Sequence, residues 1–266
     1  MILIWEVEFN PGINIKPTAK PFGFFYGVDV FGPEVEIRTL DAIRKSLLDP
    51  SCKGPKEVYS IAMDVGKKPH FNTLNQMHLL FGVVTYAGGK LGREPIRSQG
   101  HVHKRSSYAS GWSTPEVYEI WSGKAIILMQ ESAEDYPGRC FAVNASPGDV
   151  VIVPPFWAHA TISADPNETL TFGAWCDRDY GFEYKDVRAH NGLAFYPLIE
   201  GKGKIRWVRN DAYHDQELIQ KKPRTYKEFG ITTGMPIYSQ FEQNVNKFLF
   251  VPRPDLFPSE WEGFVP

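Results

Sequence analysis

The sequence predicts a mainly β protein, a small antiparallel barrel or jelly roll with extensions at both ends that contain short helices. Three observations predict it. In 266 residues, Gly 23 and Pro 21 accompany 18 Phe, 12 Tyr and 7 Trp. Turn-formers mixed with strand-favouring aromatics suit many short strands joined by tight turns. From Glu57 to about Gly181, strand-like segments recur at short intervals with turn residues between them, the spacing of a closed or double-sheet β architecture. Finally, no internal repeat and no low-complexity tract interrupts the chain.

The elements follow in order. Residues 2–9 nearly alternate, with Ile2, Ile4, Glu6 and Glu8 set against Leu3, Trp5, Val7 and Phe9, and this reads as a strand ended by Asn10-Pro11-Gly12. Residues 13–35, rich in Pro and Gly, read as an extended wrapping segment. Leu40, Ile43, Leu47 and Leu48 have helical spacing, and Asp49-Pro50 stops that helix. Strands are then expected at 57–65, 79–86, 117–121, 125–130, 141–144, 150–154, 159–163 and 169–176. After Gly181, residues 205–208 read as a strand. Ile237, Phe241, Val245 and Phe248 recur as on one amphipathic helix, and the Pro-rich tail packs on the barrel or on a neighbour.

Composition narrows the function classes. Lys+Arg 29 against Asp+Glu 31 gives a formal charge of -2, so nothing in bulk charge draws the chain to nucleic acid or anionic lipid. Any charged substrate must be held locally. Cys52, Cys140 and Cys176 lack CxxC spacing, which indicates neither a disulfide framework nor a zinc-thiolate site and suits a reducing cytoplasm. The start MILIW-Glu6 has no basic n-region, and no run of 18 apolar residues occurs. A soluble cytoplasmic protein without signal peptide or membrane span is therefore expected.

The chemistry concentrates at His101-Val102-His103, Glu116-Val117-Tyr118 and His159. In a strand, positions i and i+2 project from one face, so both imidazoles of the first motif can enter a barrel, and Glu116 and Tyr118 repeat that geometry. Three imidazoles and one carboxylate suit a divalent first-row metal with sites left for water or substrate oxygens. Taken singly, each is more simply a satisfied core or surface residue; their spacing makes them a set. His70, His78, His190 and His214 have no partner pattern.

That spacing resembles the two cupin motifs: HxH, Glu116 and Gly123 in the first, Gly148, Pro154 and His159 in the second. Two departures stand out. Twelve residues, Lys104 to Pro115, separate His103 from Glu116, a hairpin-sized insertion, and Phe156 stands where a glycine is usual. A closer match runs through Gly89-Lys90-Leu91-Gly92-Arg93-Glu94, Gly100-His101-Val102-His103, Pro115-Glu116-Val117-Tyr118, Val153-Pro154-Pro155-Phe156-Trp157-Ala158-His159 and Asp179-Tyr180-Gly181. It is similar to the archaeal-type, cupin glucose-6-phosphate isomerases over roughly residues 38–190, leaving an N-terminal extension 1–37 and a C-terminal extension 191–266 in a single domain of 1–266.

The resemblance implies that His101, His103, Glu116 and His159 hold one metal ion, with Fe(II) first and Mn(II), Ni(II) or Zn(II) as other candidates. It implies that Tyr59, Ser98, Gly100, Tyr118 and Tyr180 lie along a sugar-phosphate site, with Glu116 and Tyr118 catalytic. The family's phosphate-side threonine aligns with Val84, and Thr85 one residue on would face the opposite side. Arg178 stands at a family histidine; it can hold phosphate or hydroxyl but cannot shuttle protons near neutral pH. The implied reaction interconverts glucose 6-phosphate and fructose 6-phosphate. Separately, the alternating strand at residues 2–9 and the wrapping segment after it predict a homodimer, since a terminal strand can cover an open sheet edge on a partner. The alternatives are another metal-dependent cupin enzyme, such as a ferrous dioxygenase or a different sugar-phosphate isomerase, and a non-catalytic sugar-binding cupin.

Overall fold

A computed structural model describes residues 2–266, the Lys202 side chain excepted. Two sheets face one another. The larger has the strand order Val150–Val153, Glu116–Ser122, Leu170–Asp177, Leu79–Tyr86, Glu57–Met63, Glu36–Thr39, and every pair in it is antiparallel. The smaller runs Ala158–Ser163, Ala125–Gln130, Cys140–Ala145, Leu218–Lys221, and its last pair is parallel. Neighbours distant in sequence thus lie side by side, as a jelly roll requires.

Side-chain alternation places the core. Along Glu116–Ser122, Tyr118 and Ile120 turn inward to meet Ile127, Met129, Phe141 and Val143 of the facing sheet. Val117 and Trp121 turn outward, yet they too are buried, because the C-terminal extension lays Tyr226, Ile237, Tyr238, Phe241 and Phe248 over that face. The outer face of the smaller sheet is covered in turn by Val187, Leu193, Phe195 and Tyr213. Strands buried on both faces read as continuous apolar runs rather than alternating ones. The C-terminal tail therefore packs on this chain's own barrel.

Three expected elements are shorter than the sequence suggests. Only Leu3–Ile4 of the first strand is formed, paired with Ile15–Lys20. Trp5 donates its N–H to the Pro17 carbonyl, but Pro17 has no N–H to return, and the Glu8 and Phe9 amides turn to the Trp121 carbonyl instead. Met1, which heads that apolar run, is outside the described residues. The helix at residue 40 is one turn, Leu40–Ile43, continued by a 3-10 turn Arg44–Ser46. There Arg97 takes the Ser46 carbonyl, and Arg44 donates to the carbonyls of Pro50 and Cys52. The C-terminal helix stops at Gln243 because Asn244 is extended (φ -151, ψ 101), and its side chain caps a separate 3-10 turn, Val245–Phe248.

Candidate metal centre and pocket

The four sequence-selected donors converge at one end of the barrel. His101 forms a two-way backbone bridge with His159, at 3.0 and 2.9 Å, which ties the HxH segment to the smaller sheet. Gly100 makes the bend before it with φ +89, and a Cβ there would meet Leu193 at 3.1 Å. His103 pairs in register with Phe182 in a short two-stranded ribbon. Glu116 opens its strand in the larger sheet opposite Val153. One ligand atom from each of His101, His103, Glu116 and His159 lies within 4.8 Å of all the others.

These side chains are in the form a metal needs. The Nε2 atoms of His101 and His103 are buried and have no hydrogen-bond partner among the described residues. An orphaned buried nitrogen is costly, and a cation placed among them satisfies it. Nδ1 of His103 faces the Thr114 carbonyl at 2.8 Å, and Nδ1 of His159 faces the Trp157 carbonyl at 3.2 Å. A proton held on Nδ1 by these carbonyls makes Nε2, on the side of Glu116, the atom each imidazole would offer a bound cation. Burial, then the neighbouring imidazoles, holds His101 well below its ordinary pKa, and burial lowers His159. Both are neutral imidazoles at neutral pH, the form that can ligate a cation.

Glu116 is the acidic member. Burial pushes its carboxyl up, but interactions with His103 and His159 outweigh this and hold it well below the usual range. Its Oε2 accepts from Tyr118 Oη at 2.7 Å and lies 3.2 Å from Nε2 of both His103 and His159, although the His103 contact is an ion-pair approach without hydrogen-bond alignment. Burial and the Glu116 charge raise the Tyr118 phenol, which keeps it a donor. The donor set contains no sulfur; it fits a first-row divalent ion with open positions rather than a structural thiolate site.

A pocket opens beside Glu116. Tyr59, Ser98, His101, Glu116 and Tyr118 line it, together with Tyr86, Gln99, Thr161, Phe182 and Tyr184. Val84 also faces it, whereas Thr85 points to the other side of the sheet, where its hydroxyl meets Thr171 at 2.9 Å. Ser98 pairs with Thr161 through backbone and side chain, at 2.9 and 3.1 Å. Three expected contacts are not in the lining, the first being Gly100 at the bend before His101. Tyr180 stands outside the lining, 46% exposed, with its ring 5.8 Å from Phe182. Arg178 does not reach the pocket: its guanidinium grips Asp64 at 2.8 and 2.9 Å and the Leu79 carbonyl at 3.0 Å. A bidentate carboxylate pair uses the donors that a phosphate would require. Phe182 and Tyr184, absent from the sequence reading, have a signal in hindsight: Tyr180, Phe182 and Tyr184 alternate, placing them on one face of an extended segment.

The two departures from the cupin pattern pack against each other. Phe156 adopts φ 72, a strained conformation for a bulky residue. Its ring meets Trp112 at 5.5 Å and carries the Arg105 guanidinium at 5.0 Å, both from the insertion between His103 and Glu116.

A two-sheet jelly-roll barrel with three histidines and one glutamate gathered at one end of it defines the class of this protein. A model of the family described as "Glucose-6-phosphate isomerase (GPI)" matches residues 51–216, and the chain belongs to that family. Similar curated proteins include a glucose-6-phosphate isomerase of Pyrococcus abyssi (strain GE5 / Orsay), 32% identical over 132 residues, which are 50% of this chain and 63% of that one. A putative glucose-6-phosphate isomerase 1 of Rhizobium meliloti (strain 1021) is 27% identical, covering 50% of this chain and 56% of its own length. The chain thus spans less than two thirds of each of these relatives. Among solved structures, an oxalate oxidase overlaps with TM-score 0.35 and 11% identity, over 47% of this chain and 54% of that one. An oxalate decarboxylase overlaps with TM-score 0.34 and 21% identity, over 48% and 28%.

Proposed function

We propose that this protein is a metal-dependent aldose-ketose isomerase that interconverts glucose 6-phosphate and fructose 6-phosphate, a step of glycolysis and gluconeogenesis. The observation that carries the reading is the His101, His103, Glu116 and His159 set, of which His101 and Glu116 line the pocket, in a chain of this family. When bound, a divalent ion supplies a Lewis acid for the adjacent C1 and C2 oxygens of the open-chain sugar. Fe(II) is the proposed native ion, ahead of Mn(II), Ni(II) and Zn(II).

The chain's own residues do the rest. Isomerisation moves one hydrogen from C2 to C1, while a proton leaves the C2 hydroxyl and one is gained at the C1 oxygen. Among the described residues Glu116 is the one carboxylate lining the pocket, so a proton-transfer path between C2 and C1 falls to it. A direct hydride shift asks no base of the chain, and Glu116 then serves as ligand alone. Tyr118 holds Glu116 by its 2.7 Å hydrogen bond and presents its hydroxyl on the same face as a substrate hydroxyl contact. Tyr59 and Ser98 line the remainder of the sugar site, and Gly100 shapes the turn that delivers His101. Phe182, 4.4 Å from His101 by ring centroids, helps exclude water.

The same reading extends to the rest of the chain. We take residues 1–266 as one folding unit and as a homodimer, supported by the exposed apolar edge Ile2, Leu3 and Ile4. A reducing cytoplasm agrees with three free, buried cysteines. Among the described residues no helix is long and apolar enough to cross a membrane. The test is a coupled isomerase assay on chelated protein reloaded separately with Fe(II), Mn(II), Ni(II) or Zn(II). Turnover restored by one or more ions is the expected result; none with any ion, at full metal occupancy, refutes the reaction.

A further inference from the structure

A sugar phosphate carries a dianion, yet among the described residues no lysine or arginine lines the pocket beside Glu116. Two arginines stand immediately beside residues of its lining. Arg38 lies directly across the strand pair from Tyr59, whose ring stacks on Tyr86 at 4.8 Å. Arg188 places its guanidinium over the Tyr184 ring at 4.8 Å and donates from Nε to Gln99 Oε1 at 2.9 Å. Tyr59, Tyr86, Gln99 and Tyr184 all line the pocket. Burial raises the Tyr184 hydroxyl, and both arginines act against that rise.

Neither cation is committed elsewhere in a way that resists a ligand. Arg38 pairs with Glu36, but the Glu36 side chain is 61% exposed, and a solvent-screened pair of that kind is weak. Among the described residues no carboxylate pairs with Arg188, which leaves its terminal nitrogens free for an anion. Guanidinium groups bind phosphate oxygens through two parallel N–H donors, which suits a dianion held at a pocket mouth.

We propose that Arg38 and Arg188 form the phosphate end of the pocket, receiving the dianion beside the hydroxyls of Tyr59 and Tyr184 while C1 and C2 of the sugar lie at the His101 and Glu116 end. The assignment rests on the proposed sugar-phosphate reading for its ligand and names the recognition residues within that site. Arg178, bound to Asp64, is not part of it.

The test uses the metal-loaded full chain and two readouts. Inorganic phosphate is titrated calorimetrically into wild type, Arg38→Gln, Arg188→Gln, the double variant and Arg38→Lys, each with its metal content measured. Steady-state kinetics with fructose 6-phosphate follow. Each Gln variant should bind phosphate roughly 10- to 100-fold more weakly, the usual worth of a hydrogen bond to a charged group. KM should rise by a similar factor with kcat and metal content nearly unchanged, and Arg38→Lys should recover part of the loss. Undiminished phosphate affinity in the double variant overturns the proposal, as does a wild type that binds no phosphate. Phosphate held on the metal itself would be indifferent to these substitutions and so counts against it. If the variants lose phosphate but the wild type never isomerises the sugar, the anion site stands and the reaction is wrong. If wild type turns over and the double variant keeps its phosphate affinity, the reverse holds.

Discussion

His103 Nδ1 and the Thr114 carbonyl oxygen meet at 2.8 Å across the base of the insertion that separates the HxH motif from Glu116. Ser113 reinforces the closure by donating its hydroxyl to the His103 carbonyl at 2.8 Å, and Arg105 bridges to Ser113 one step further out. The far end of the insertion is thereby closed back onto His103, the residue from which the insertion departs, so the long gap still leaves His103 and Glu116 side by side in the candidate metal centre. Outer contacts of this sort orient a ligand and fix its tautomer.

The first prediction follows from that arrangement. Purified protein should carry about one first-row divalent ion per chain bound through nitrogen and oxygen. His101→Ala or His159→Ala should lose metal and turnover together while circular dichroism stays native. Ser113→Ala should weaken metal binding by about tenfold without abolishing it. Elemental analysis after dialysis against graded chelator checks both. A metal-free protein with full turnover would sink the metal assignment.

How much of this was legible beforehand depends on whether the signal was local. The barrel strands were readable because turn residues bracket them, and the donors because i, i+2 spacing survives in any strand. The Leu79–Tyr86 and Ala125–Gln130 strands match their expected bounds. Phe156 reads as a flaw in the second motif, because nothing local announces that Trp112 and Arg105, 44 and 51 positions earlier, pack on its ring. The destination of Arg178 depended on Asp64, 114 positions away, and that of Arg38 on two tyrosines from separate strands and loops. The partition of the C-terminal helix likewise turned on Asn244, whose side-chain cap competes with helix continuation.

A second prediction concerns Glu119, on the outward face of the same strand as Glu116. Burial pushes its carboxyl up to about 8, against the pull of hydrogen bonds from the Ile237 amide at 2.7 Å and Trp121 Nε1 at 3.0 Å. Its folded pKa lies above the ordinary 4.5, so the stability linked to it is full below about 4.5 and declines as pH rises, levelling above about 8. The slope in that window is on the order of 1.4 kcal/mol per pH unit at most. Glu119→Gln should flatten this decline, though it lowers stability overall by leaving one donor poorly matched. Urea midpoints at pH 5.5, 7 and 8.5 for both proteins provide the check; parallel pH profiles would refute the linkage.

A third prediction addresses assembly. Ile2, Leu3 and Ile4 are 54%, 53% and 39% exposed, while Glu8 and Phe9 are fastened to this chain's own barrel through the Trp121 carbonyl. The free apolar edge is thus confined to the first few residues, and a second copy can cover it by strand pairing. Wild type should be a dimer by light scattering, and deletion of residues 1–12, or Leu3→Lys with Ile4→Lys, should shift it toward monomer. The double substitution spares the Glu8 and Phe9 contacts, so it separates lost pairing from a loosened barrel. A monomeric wild type would refute the dimer.

The last prediction divides the two roles open to Glu116. One of its oxygens, Oε2, faces Tyr118 and the two histidines; the other, Oε1, has only the Cys176 thiol at 3.5 Å. Glu116→Gln preserves the shape and one oxygen ligand but removes the basic site, so metal content should fall modestly. If Glu116 transfers the proton, turnover at metal saturation should drop roughly 10²–10⁴-fold, the range a positioned general base supplies. If it is a ligand alone, the loss should follow occupancy and be recovered with excess metal. Tyr118→Phe sharpens the distinction, because it frees Oε2 from its 2.7 Å donor without touching a metal ligand. A base so released should shift the acid limb of the pH–rate profile upward, whereas a pure ligand should change metal affinity and leave that limb in place. Solvent deuterium gives an independent reading: label entering C1 or C2 requires proton exchange and establishes a base. A metal-saturated Glu116→Gln protein with near-normal turnover would remove the general-base assignment and leave hydrogen transfer to proceed directly between the two carbons.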